Sequence, residues 1–336
     1  MREPLPKAVE LQMEAARALG LACRVLDPAF GFLFEISDGR RRRLLIGGRS
    51  PLNDSVAARV AGDKHYSKLV LADAGFRVPA AVRCIQPGHY SSPEIESAAG
   101  LAPGLAFAEA SSFPLIVKPN RKSHGRGVTE VTTPDELADA VRAVWRIDPI
   151  ALVEERAQGL DVRIDFLDGE FLIGYLRRPL ELVGDGRSSV RDLLAAADPR
   201  MQGEAAWERI ERDATWRRRV TDRGLGPESV LTAGRRVVVG GTVLNLHRWA
   251  VAELLPELPP GLAGLGRSVG ETIGLRFYGI DCKVPRLDAG PAEVTVIEVN
   301  ASPLLTGMAE IGWREEALAA QIRVIEAAWK SAARSG

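Results

Sequence analysis

The 336-residue chain is 46% hydrophobic and 26% charged, an ordinary composition for a globular protein with room for two or three domains. Its 44 Lys and Arg residues equal its 44 Asp and Glu residues, so no net field favours nucleic acid or an anionic membrane, and we expect neither as a partner. Three widely spaced cysteines fit neither a disulfide framework nor a thiolate metal site, and we see neither a signal peptide nor an apolar run of membrane-spanning length, so we expect a cytoplasmic protein.

The first residues predict a small mixed unit, because a helical apolar spacing over residues 7–19 precedes short strands and an Asp38-Gly39 hairpin turn. The strand candidates are residues 23–26, 32–36 and 43–46. The arginines at 40–43 could form an anion patch. Arginines beside a hairpin turn more often form a solvated edge that discourages sheet pairing, and we favour that interpretation.

The next part of the chain alternates helix, strand and loop. A helix is predicted over residues 63–74, and a strand over residues 115–118. Thr133 then caps another helix, with Pro134 in its first turn and Glu136 closing a capping box.

A lysine stands at the end of the strand at 115–118, directly before a loop that contains glycines. Glycines let backbone N–H groups approach phosphate oxygens, and Lys118 adds a point charge. A hairpin loop with solvated basic residues would give the same pattern. A strand over residues 151–154 runs into a polar hinge at 155–157, where backbone groups could read an adenine edge and Asp161 could bind ribose hydroxyls.

The C-terminal half contains two strands joined by an Asp168-Gly169 turn and a series of further elements. The strand candidates are residues 162–166, 171–176, 235–239 and 242–246, and the helix candidates are residues 189–197, 205–220, 263–273 and 315–333.

Two further strand-like runs, residues 277–281 and 294–300, carry the most informative polar residues. Strand alternation puts Glu298 and Asn300 on one face, where Asp281 from the neighbouring strand can join them. Hard oxygen donors suit Mg²⁺, which keeps coordination positions open for substrate phosphates. The sequence therefore predicts a magnesium site and nucleotide chemistry.

The ordered set of these motifs resembles the ATP-grasp carboxylate-amine ligases, over roughly residues 50 to 310. The motifs are Asp63-Lys64, Lys118 with its loop, residues 154–161, Asp281, and the run 298–303. The resemblance implies an ATP-grasp fold of the α/β (α+β) class. It divides the chain into a small N-terminal α/β domain (1–85), a central lid subdomain (86–160) and a C-terminal subdomain with the Mg²⁺ site (161–336).

The resemblance also implies a role for each matching residue. ATP phosphates would contact Lys64 and Lys118 and lie under the loop residues Ser123, Gly125 and Gly127, although a lysine at a helix start is as often plain surface. Glu154 would bind the adenine amine, with backbone groups of Glu155 and Ala157 on the ring and Asp161 on the ribose. Asp281, Glu298 and Asn300 would hold Mg²⁺.

Shorter segments narrow the resemblance. Residues 176–186 are similar to cyanophycin synthetases and to the ligase module of bifunctional glutathione synthetases, whereas residues 245–248 are similar to ribosomal-protein glutamate ligases. Two departures add bulk near the expected acceptor region: Trp249-Ala250 stands where glycines are expected, and Leu304 follows Pro303 where glycine is usual. Neither substrate is identified by these segments.

The implied reaction joins a carboxylate to an amine through an acyl phosphate, with ATP and Mg²⁺ and with small-molecule substrates; a homodimer stays open. Arg178 is the preferred catalytic arginine, Arg248 the second and Arg163 the third. His247 is equally well a substrate ligand, a base or a structural residue. The alternatives are a phosphotransferase that uses the same nucleotide site and a nucleotide sensor without catalysis.

Overall fold

The structure is a computed structural model, and it describes residues 4–49, 51–123, 125–197, 201–203, 207–208, 211, 220–239, 244 and 250–331. The helices are α1 (Lys7–Ala18), α2 (Ser55–Ala61), α3 (Lys64–Asp73), α4 (Pro93–Ser97), α5 (Ala102–Ala110), α6 (Pro134–Trp145), α7 (Val190–Ala197), α8 (Pro260–Ile273), α9 (Thr306–Glu310) and α10 (Arg314–Ser331). The strands are β1 (Ala22–Val25), β2 (Leu33–Ser37), β3 (Arg42–Ile46), β4 (Ala81–Ile85), β5 (Leu115–Pro119), β6 (Thr129–Val131), β7 (Ile150–Glu155), β8 (Leu160–Leu167), β9 (Glu170–Arg178), β10 (Glu181–Val183), β11 (Arg236–Val238), β12 (Val251–Leu254), β13 (Phe277–Val284) and β14 (Thr295–Asn300). In this part of the chain no helix is long and apolar enough to cross a membrane.

The N-terminal unit is a three-stranded antiparallel sheet, β1-β2-β3, covered by α1. Val9 and Met13 of α1 face Phe34 and Ile36 of β2, and all four side chains are buried. Ile325 of the terminal helix α10 enters the same core. The unit is therefore packed against the C-terminal end of the chain, because the apolar stripe of α1 is covered on two sides.

A four-stranded antiparallel sheet with the order β4-β7-β5-β6 forms the central part. Helices α5 and α6 cover one of its faces, with Leu137 and Val141 of α6 fully buried. Thr133 caps α6 by accepting a hydrogen bond from the Glu136 N–H, as predicted. The Glu136 carboxylate reaches one residue further back than a capping box requires and accepts the Thr132 N–H.

The third sheet is five-stranded, with the order β12-β9-β8-β13-β14 and antiparallel pairing throughout. Helix α8 lies on it, and the ring of Phe166 stacks on that of Tyr278 with centroids 5.4 Å apart. A Cβ on Gly266 of α8 would lie 1.8 Å from the Phe166 ring, so only glycine permits this approach of helix to sheet. Helices α2 and α3 pack on the same core through Ala57, Ala61 and Leu71.

A smaller unit is inserted between β9 and β12, and the sequence did not predict it as a separate unit. Strands β10 and β11 pair, and α7 packs beside them over a core of its own that includes Leu182, Leu194 and Val237. The expected helix over 205–220 and strand over 242–246 fall largely outside the described residues.

The pairing of strands can be compared with the domain boundaries expected from the sequence. Strand β4 pairs with β7, so a boundary after residue 85 would separate β4 from the sheet in which it lies. The end of the predicted central subdomain at residue 160 coincides with the passage from β7 to β8, where the chain leaves one sheet and enters the next.

Candidate functional site

A cleft with a cavity of about 580 Å³ lies between the four-stranded and five-stranded sheets. Strands β5 and β7 line it on one side, strands β8, β13 and β14 on the other, and the loop after β3 closes one end. All but one of the residues that the sequence assigned to nucleotide and metal and that the structure describes lie in this lining. The lining members of that set are Lys64, Lys118, Ser123, Gly125, Glu154, Glu155, Ala157, Asp161, Asp281, Glu298 and Asn300.

Lys118 and Glu154 form a buried ion pair on the central sheet. Glu154 lies opposite Ile116, so alternation brings the Lys118 and Glu154 side chains to one face. The Lys118 Nζ lies 2.6 Å from one Glu154 carboxylate oxygen, and the Nζ of Lys68 on α3 lies 3.3 Å from the other. Burial alone would raise the pKa of Glu154, but the charges of Lys118 and Lys68 outweigh it and hold that pKa below its ordinary value.

The loop after Lys118 depends on its glycines. Gly125 and Gly127 have positive φ, at 65° and 74°, a region that side chains rarely adopt. A Cβ on Gly127 would also lie 2.7 Å from Ile147 Cδ1 and 3.0 Å from Pro119 Cγ. Gly127 is the predicted nucleotide residue that packs beside the cleft instead of lining it. His124 lies outside the described residues.

Lys64, the first residue of α3, joins the two sides of the cleft. Its Nζ donates to the carbonyl of Lys122 in the loop at 2.6 Å and lies 3.2 Å from the Glu298 carboxylate on β14. Asp63 caps α3 by accepting the Tyr66 N–H, and its other oxygen holds Arg121 of the loop at 3.0 Å. The start of α3 therefore fixes the loop and places one cation between loop and sheet.

The residues that the sequence assigned to adenine and ribose lie at the hinge between the sheets and at the start of β8. The Glu155 N–H already donates to the carbonyl of Ala80, so this group is occupied. Asp161 is the second residue of β8 and is held by Arg177 at 2.5 Å and by Lys283 at 2.9 Å. Gly159 lies between them with φ of 116°, and a Cβ there would lie 2.4 Å from the carbonyl oxygen of Val284.

The three predicted metal ligands meet on one face of the β13-β14 pair. Asp281 lies opposite Glu298 and Gly279 opposite Asn300, so alternation brings the three polar side chains together. The Asn300 Nδ2 donates to Asp281 Oδ2 at 2.9 Å. Among the described residues no group of three His, Cys, Asp or Glu side chains could hold a metal ion, and the cluster here consists of two carboxylates and one amide.

Two arginines face Asp281: Arg163, the third choice from the sequence, and Arg177, to which the sequence gave no role. Arg163 Nη1 lies 2.7 Å from Asp281 Oδ2, and Arg177 Nη2 lies 2.6 Å from Asp281 Oδ1. Arg163 also holds Asp165 at 2.5 Å. Burial would raise the pKa of Asp281, but these two guanidinium groups outweigh it and hold the carboxyl below its ordinary pKa.

Arg178, the preferred catalytic arginine, lies elsewhere. Its side chain is 59% exposed, pairs with Glu253 on the edge strand β12 at 3.1 Å, and is not part of the cleft lining. Neighbouring residues of a strand point to opposite faces, so Arg177 takes the inward position that the sequence assigned to Arg178. Arg248 and His247 lie outside the described residues. Arg163, the third choice, lies in the cleft.

The signal that could have selected Arg177 is the polar pattern of β8 and β9. Asp161, Arg163 and Asp165 alternate on β8, and Asp161 lies opposite Arg177. Opposite charges that face each other on neighbouring strands are stabilising, so a basic side chain is favoured opposite Asp161. The sequence also gave no role to the loop residues Gly47, Gly48 and Arg49, which line the cleft from the N-terminal unit.

Comparisons with known proteins show which proteins this chain is similar to. Residues 101–178 match the family model described as the D-ala D-ala ligase C-terminus. The chain is 27% identical over 258 residues to the cyanophycin synthetase of Crocosphaera subtropica, covering 74% of this chain and 28% of the relative. It is 25% identical over 310 residues to a glutathione biosynthesis bifunctional protein of Mannheimia succiniciproducens, covering 85% of this chain and 38% of the relative.

A solved structure gives the same result for the fold. The bifunctional glutathione synthetase from Pasteurella multocida superposes with a TM-score of 0.57 at 20% identity, covering 89% of this chain and 40% of that one. The predicted ATP-grasp fold and the resemblance to ATP-grasp ligases are thereby confirmed. The chain spans 28% and 38% of the length of the two curated relatives named above.

Proposed function

We propose that this chain catalyses the ATP-dependent joining of a carboxylate to an amine through an acyl-phosphate intermediate. The observation that carries the proposal is the cleft in which Lys118 and the glycine loop face the Asp281, Glu298 and Asn300 cluster. Its sequence relatives include a cyanophycin synthetase and a glutathione biosynthesis protein, and part of the chain matches a ligase family model. We also propose that its substrates are small molecules and that the protein is cytoplasmic. Homodimer formation stays open.

The nucleotide would lie along the cleft, whose volume of about 580 Å³ is ordinary for a small-molecule site. Lys118 and Lys64 would supply charge to the phosphates, and the loop residues Ser123 and Gly125, which also line the cleft, would supply backbone N–H groups. Asp161 and the hinge residues 155–157 also line the cleft, and we assign ribose and adenine to them. Glu154 is held by two lysines, so a contact with the adenine amine would be shared with them.

The donor set on β13 and β14 fits Mg²⁺. Two carboxylates and one amide oxygen are hard ligands, and their number leaves coordination positions for phosphate oxygens and water. The Asn300 Nδ2 already donates to Asp281, which leaves its Oδ1 as the oxygen able to face a cation. When bound, Mg²⁺ would neutralise the charge of the phosphates during transfer. Asp281, Glu298 and Asn300 would hold it.

The arginine pair supports the chemistry of acyl transfer. A carboxylate is a poor acyl donor because its leaving group would be oxide, and phosphorylation turns that oxygen into a good leaving group. Burial works against the charged form of Arg177, but Asp281 and Asp161 outweigh it and raise its pKa. Arg163 and Arg177 therefore keep fixed positive charge beside the metal ligands, where charge develops on the transferred phosphoryl group and on the tetrahedral intermediate.

The test is formation of ADP and of a trapped acyl group. The full chain is incubated with ATP, Mg²⁺ and pairs of amino acids, ADP is measured, and hydroxylamine is added in a parallel reaction. We expect ADP release that depends on a carboxylate substrate, together with a hydroxamate detected by mass spectrometry, because hydroxylamine attacks an acyl phosphate. ADP release without a hydroxamate would instead support the phosphotransferase alternative.

Two variants test the metal assignment in the same assay. Asp281→Asn and Glu298→Gln should each lower ADP release at least about 100-fold. Each substitution removes a charged ligand of the Mg²⁺ ion that would neutralise the phosphates during transfer. The control is Asp288→Asn, whose side chain is 83% exposed. Undiminished ADP release in both cleft variants would remove the metal site from the proposal.

A further inference from the structure

The loop after β3 is built to present Arg49 to the cleft. Gln12 of α1 is buried, accepts the Gly48 N–H at 3.3 Å and donates to the Arg49 carbonyl at 3.4 Å. The Arg49 N–H donates to the carbonyl of Ile46 at 2.8 Å. A buried glutamine thus holds the backbone on both sides of one peptide unit, which fixes the point from which the Arg49 side chain extends.

Asn53 ties the other end of this loop to the metal-ligand strands. Its side-chain Nδ2 donates to the carbonyls of Phe277 and Ala301, each at 2.6 Å, and its Oδ1 accepts the Phe277 N–H at 3.0 Å. Ala301 directly follows Asn300, the last of the three predicted metal ligands. The loop that carries Arg49 is therefore fixed to the segment that follows the metal-ligand strand β14.

The glycines of the loop allow a close approach to Leu304. Gly48 has φ of +70°, and a Cβ there would lie 2.7 Å from Leu304 Cδ2. A Cβ on Gly47 would lie 2.4 Å from Phe32 Cδ1. Leu304 itself lines the cleft and stays 44% exposed. This end of the cleft therefore combines one guanidinium group with an apolar wall formed by Leu304 and Pro303.

Arg49 differs from nearly every other cationic side chain of the cleft in its lack of a carboxylate partner among the described residues. Seven lining cations have a carboxylate partner within 4.0 Å: Lys64, Lys118, Arg121, Arg156, Arg163, Arg177 and Lys283. Within the described ranges, no ion pair joins Arg49 or Lys122 to a carboxylate. Lys122 belongs to the glycine loop after Lys118, and its role in phosphate binding in our proposal accounts for its lack of a carboxylate partner. Arg49 instead lies on the N-terminal unit and faces the cleft from the side of Leu304.

We propose that Arg49 binds a substrate carboxylate that does not react, so that the substrate is an amino acid or short peptide whose apolar part lies on Leu304. The inference rests on the ligase function proposed above and names its substrate class. A guanidinium group binds a carboxylate through two parallel hydrogen bonds. A carboxylate held in this way has its oxygen lone pairs engaged by the guanidinium N–H groups, which makes it a poorer nucleophile toward phosphate than a carboxylate without such a partner.

The experiment compares acids with their amides. ADP release by the full chain is measured with pairs of the twenty L-amino acids, and then with each active compound converted to its primary α-carboxamide. Arg49→Gln should lower the ratio of kcat/KM for acid over amide roughly 10- to 100-fold, the usual weight of one charge-assisted interaction, and mainly through KM. Arg49→Lys keeps the charge without the paired donors and should give an intermediate ratio.

Two controls make the result specific. Arg40→Gln changes an exposed arginine in the hairpin turn of the same unit and should leave the ratio as in the unsubstituted chain. Binding of Mg²⁺ with a non-hydrolysable ATP analogue, measured by calorimetry, should be equal in the unsubstituted chain and in Arg49→Gln.

Three outcomes would overturn the assignment. They are an unchanged acid-to-amide ratio in Arg49→Gln, a loss of analogue binding of similar size in that variant, and a ratio in Arg49→Lys as low as in Arg49→Gln. No ADP release from the unsubstituted chain with any pair would overturn the proposed ligase function together with this assignment, whereas an unchanged ratio with active enzyme would remove the role of Arg49 alone.

Discussion

Asp281 is the residue on which the charges of the cleft converge, since it accepts from Arg163, Arg177 and Asn300 at once. A buried carboxylate with two guanidinium partners stays ionised and fixed in orientation, which suits a metal ligand. The arginines in turn are held by Asp165 and Asp161, so each arginine has a second carboxylate partner. A network of this kind loses far more when one member is removed than an exposed pair does.

The neighbouring arginines 177 and 178 give a direct test at the residue scale. Arg177→Met should lower the free energy of unfolding by roughly 3–5 kcal/mol, because it leaves buried carboxylates short of a partner. It should also lower ADP release at least about 100-fold. Arg178→Met should change stability by less than about 1 kcal/mol, because Arg178 forms an exposed pair. Urea denaturation and ADP release measure both effects, and a larger loss of activity in Arg178→Met would restore Arg178 as the catalytic arginine.

Lys68 gives a prediction for pH. Burial lowers its pKa from 10.5 to about 8, an effect only partly offset by Glu154. Between these two pKa values the unfolded chain binds more protons at this site than the folded chain does, so its contribution to stability rises as pH rises. The free energy of unfolding of the unsubstituted chain minus that of Lys68→Met should therefore rise by roughly 1–2 kcal/mol from pH 7.5 to 9.5. Urea denaturation at the two pH values measures it. A difference that is flat or falls with pH would contradict the assignment.

At the scale of elements, the glycine loop between β5 and β6 requires glycine at 127 for two separate reasons, a positive φ and contact with Ile147 and Pro119. Gly88 also has positive φ, of +77°, but a Cβ there would meet no atom within 4 Å. This pair of glycines separates backbone strain from steric contact.

Gly127→Ala should therefore be more destabilising than Gly88→Ala. We expect a loss of about 1 kcal/mol from positive φ in each variant and a further loss of about 1–3 kcal/mol at 127 from crowding. Thermal unfolding measures stability, and calorimetry with an ATP analogue measures affinity, which should fall in Gly127→Ala alone. Equal affinity in both variants would mean that the loop does not cover phosphate.

The elements that the sequence predicted are those whose pattern is local. The helix over 63–74 and the strand over 115–118 begin and end at caps and breaks within the segment itself, and the Asp281 and Glu298 pair follows from the alternation of two strands. The strand predicted over 235–239 contains β11, but β6 and β10 have only three residues each, and β10 pairs with β11 across more than fifty residues, so no local pattern marks β6 or β10. Arg177 and Arg178 show the same limit in the site: alternation states that they point apart, and only the pairing of Arg177 with Asp161 decides which one faces inward.

At the scale of the whole molecule, three parts of the chain meet at the cleft, and contacts between them fix their arrangement. Lys64 joins the loop to β14, Asn53 joins the N-terminal unit to β13 and to Ala301, and α1 packs on α10. The ion pairs Lys7 with Glu310 and Arg314 with Glu14 add only exposed contacts to this interface. A ligand that binds both sheets should therefore stabilise the molecule well beyond its own contacts with either one.

Hydrogen exchange with and without Mg²⁺ tests this arrangement. A non-hydrolysable ATP analogue alone should slow amide exchange in residues 120–128, because the loop contacts phosphate directly. Addition of Mg²⁺ should extend the protection to residues 296–302, because Glu298 and Asn300 reach the phosphates only through the cation in our proposal. Asp281→Asn should keep the first protection and lose the second, since the loop is intact in that variant. A molecule bound across the cleft through a cation must protect the loop first and residues 296–302 only when Mg²⁺ is present. Protection of both segments without Mg²⁺, or of neither segment with Mg²⁺, would therefore show that the two sheets do not share one ligand.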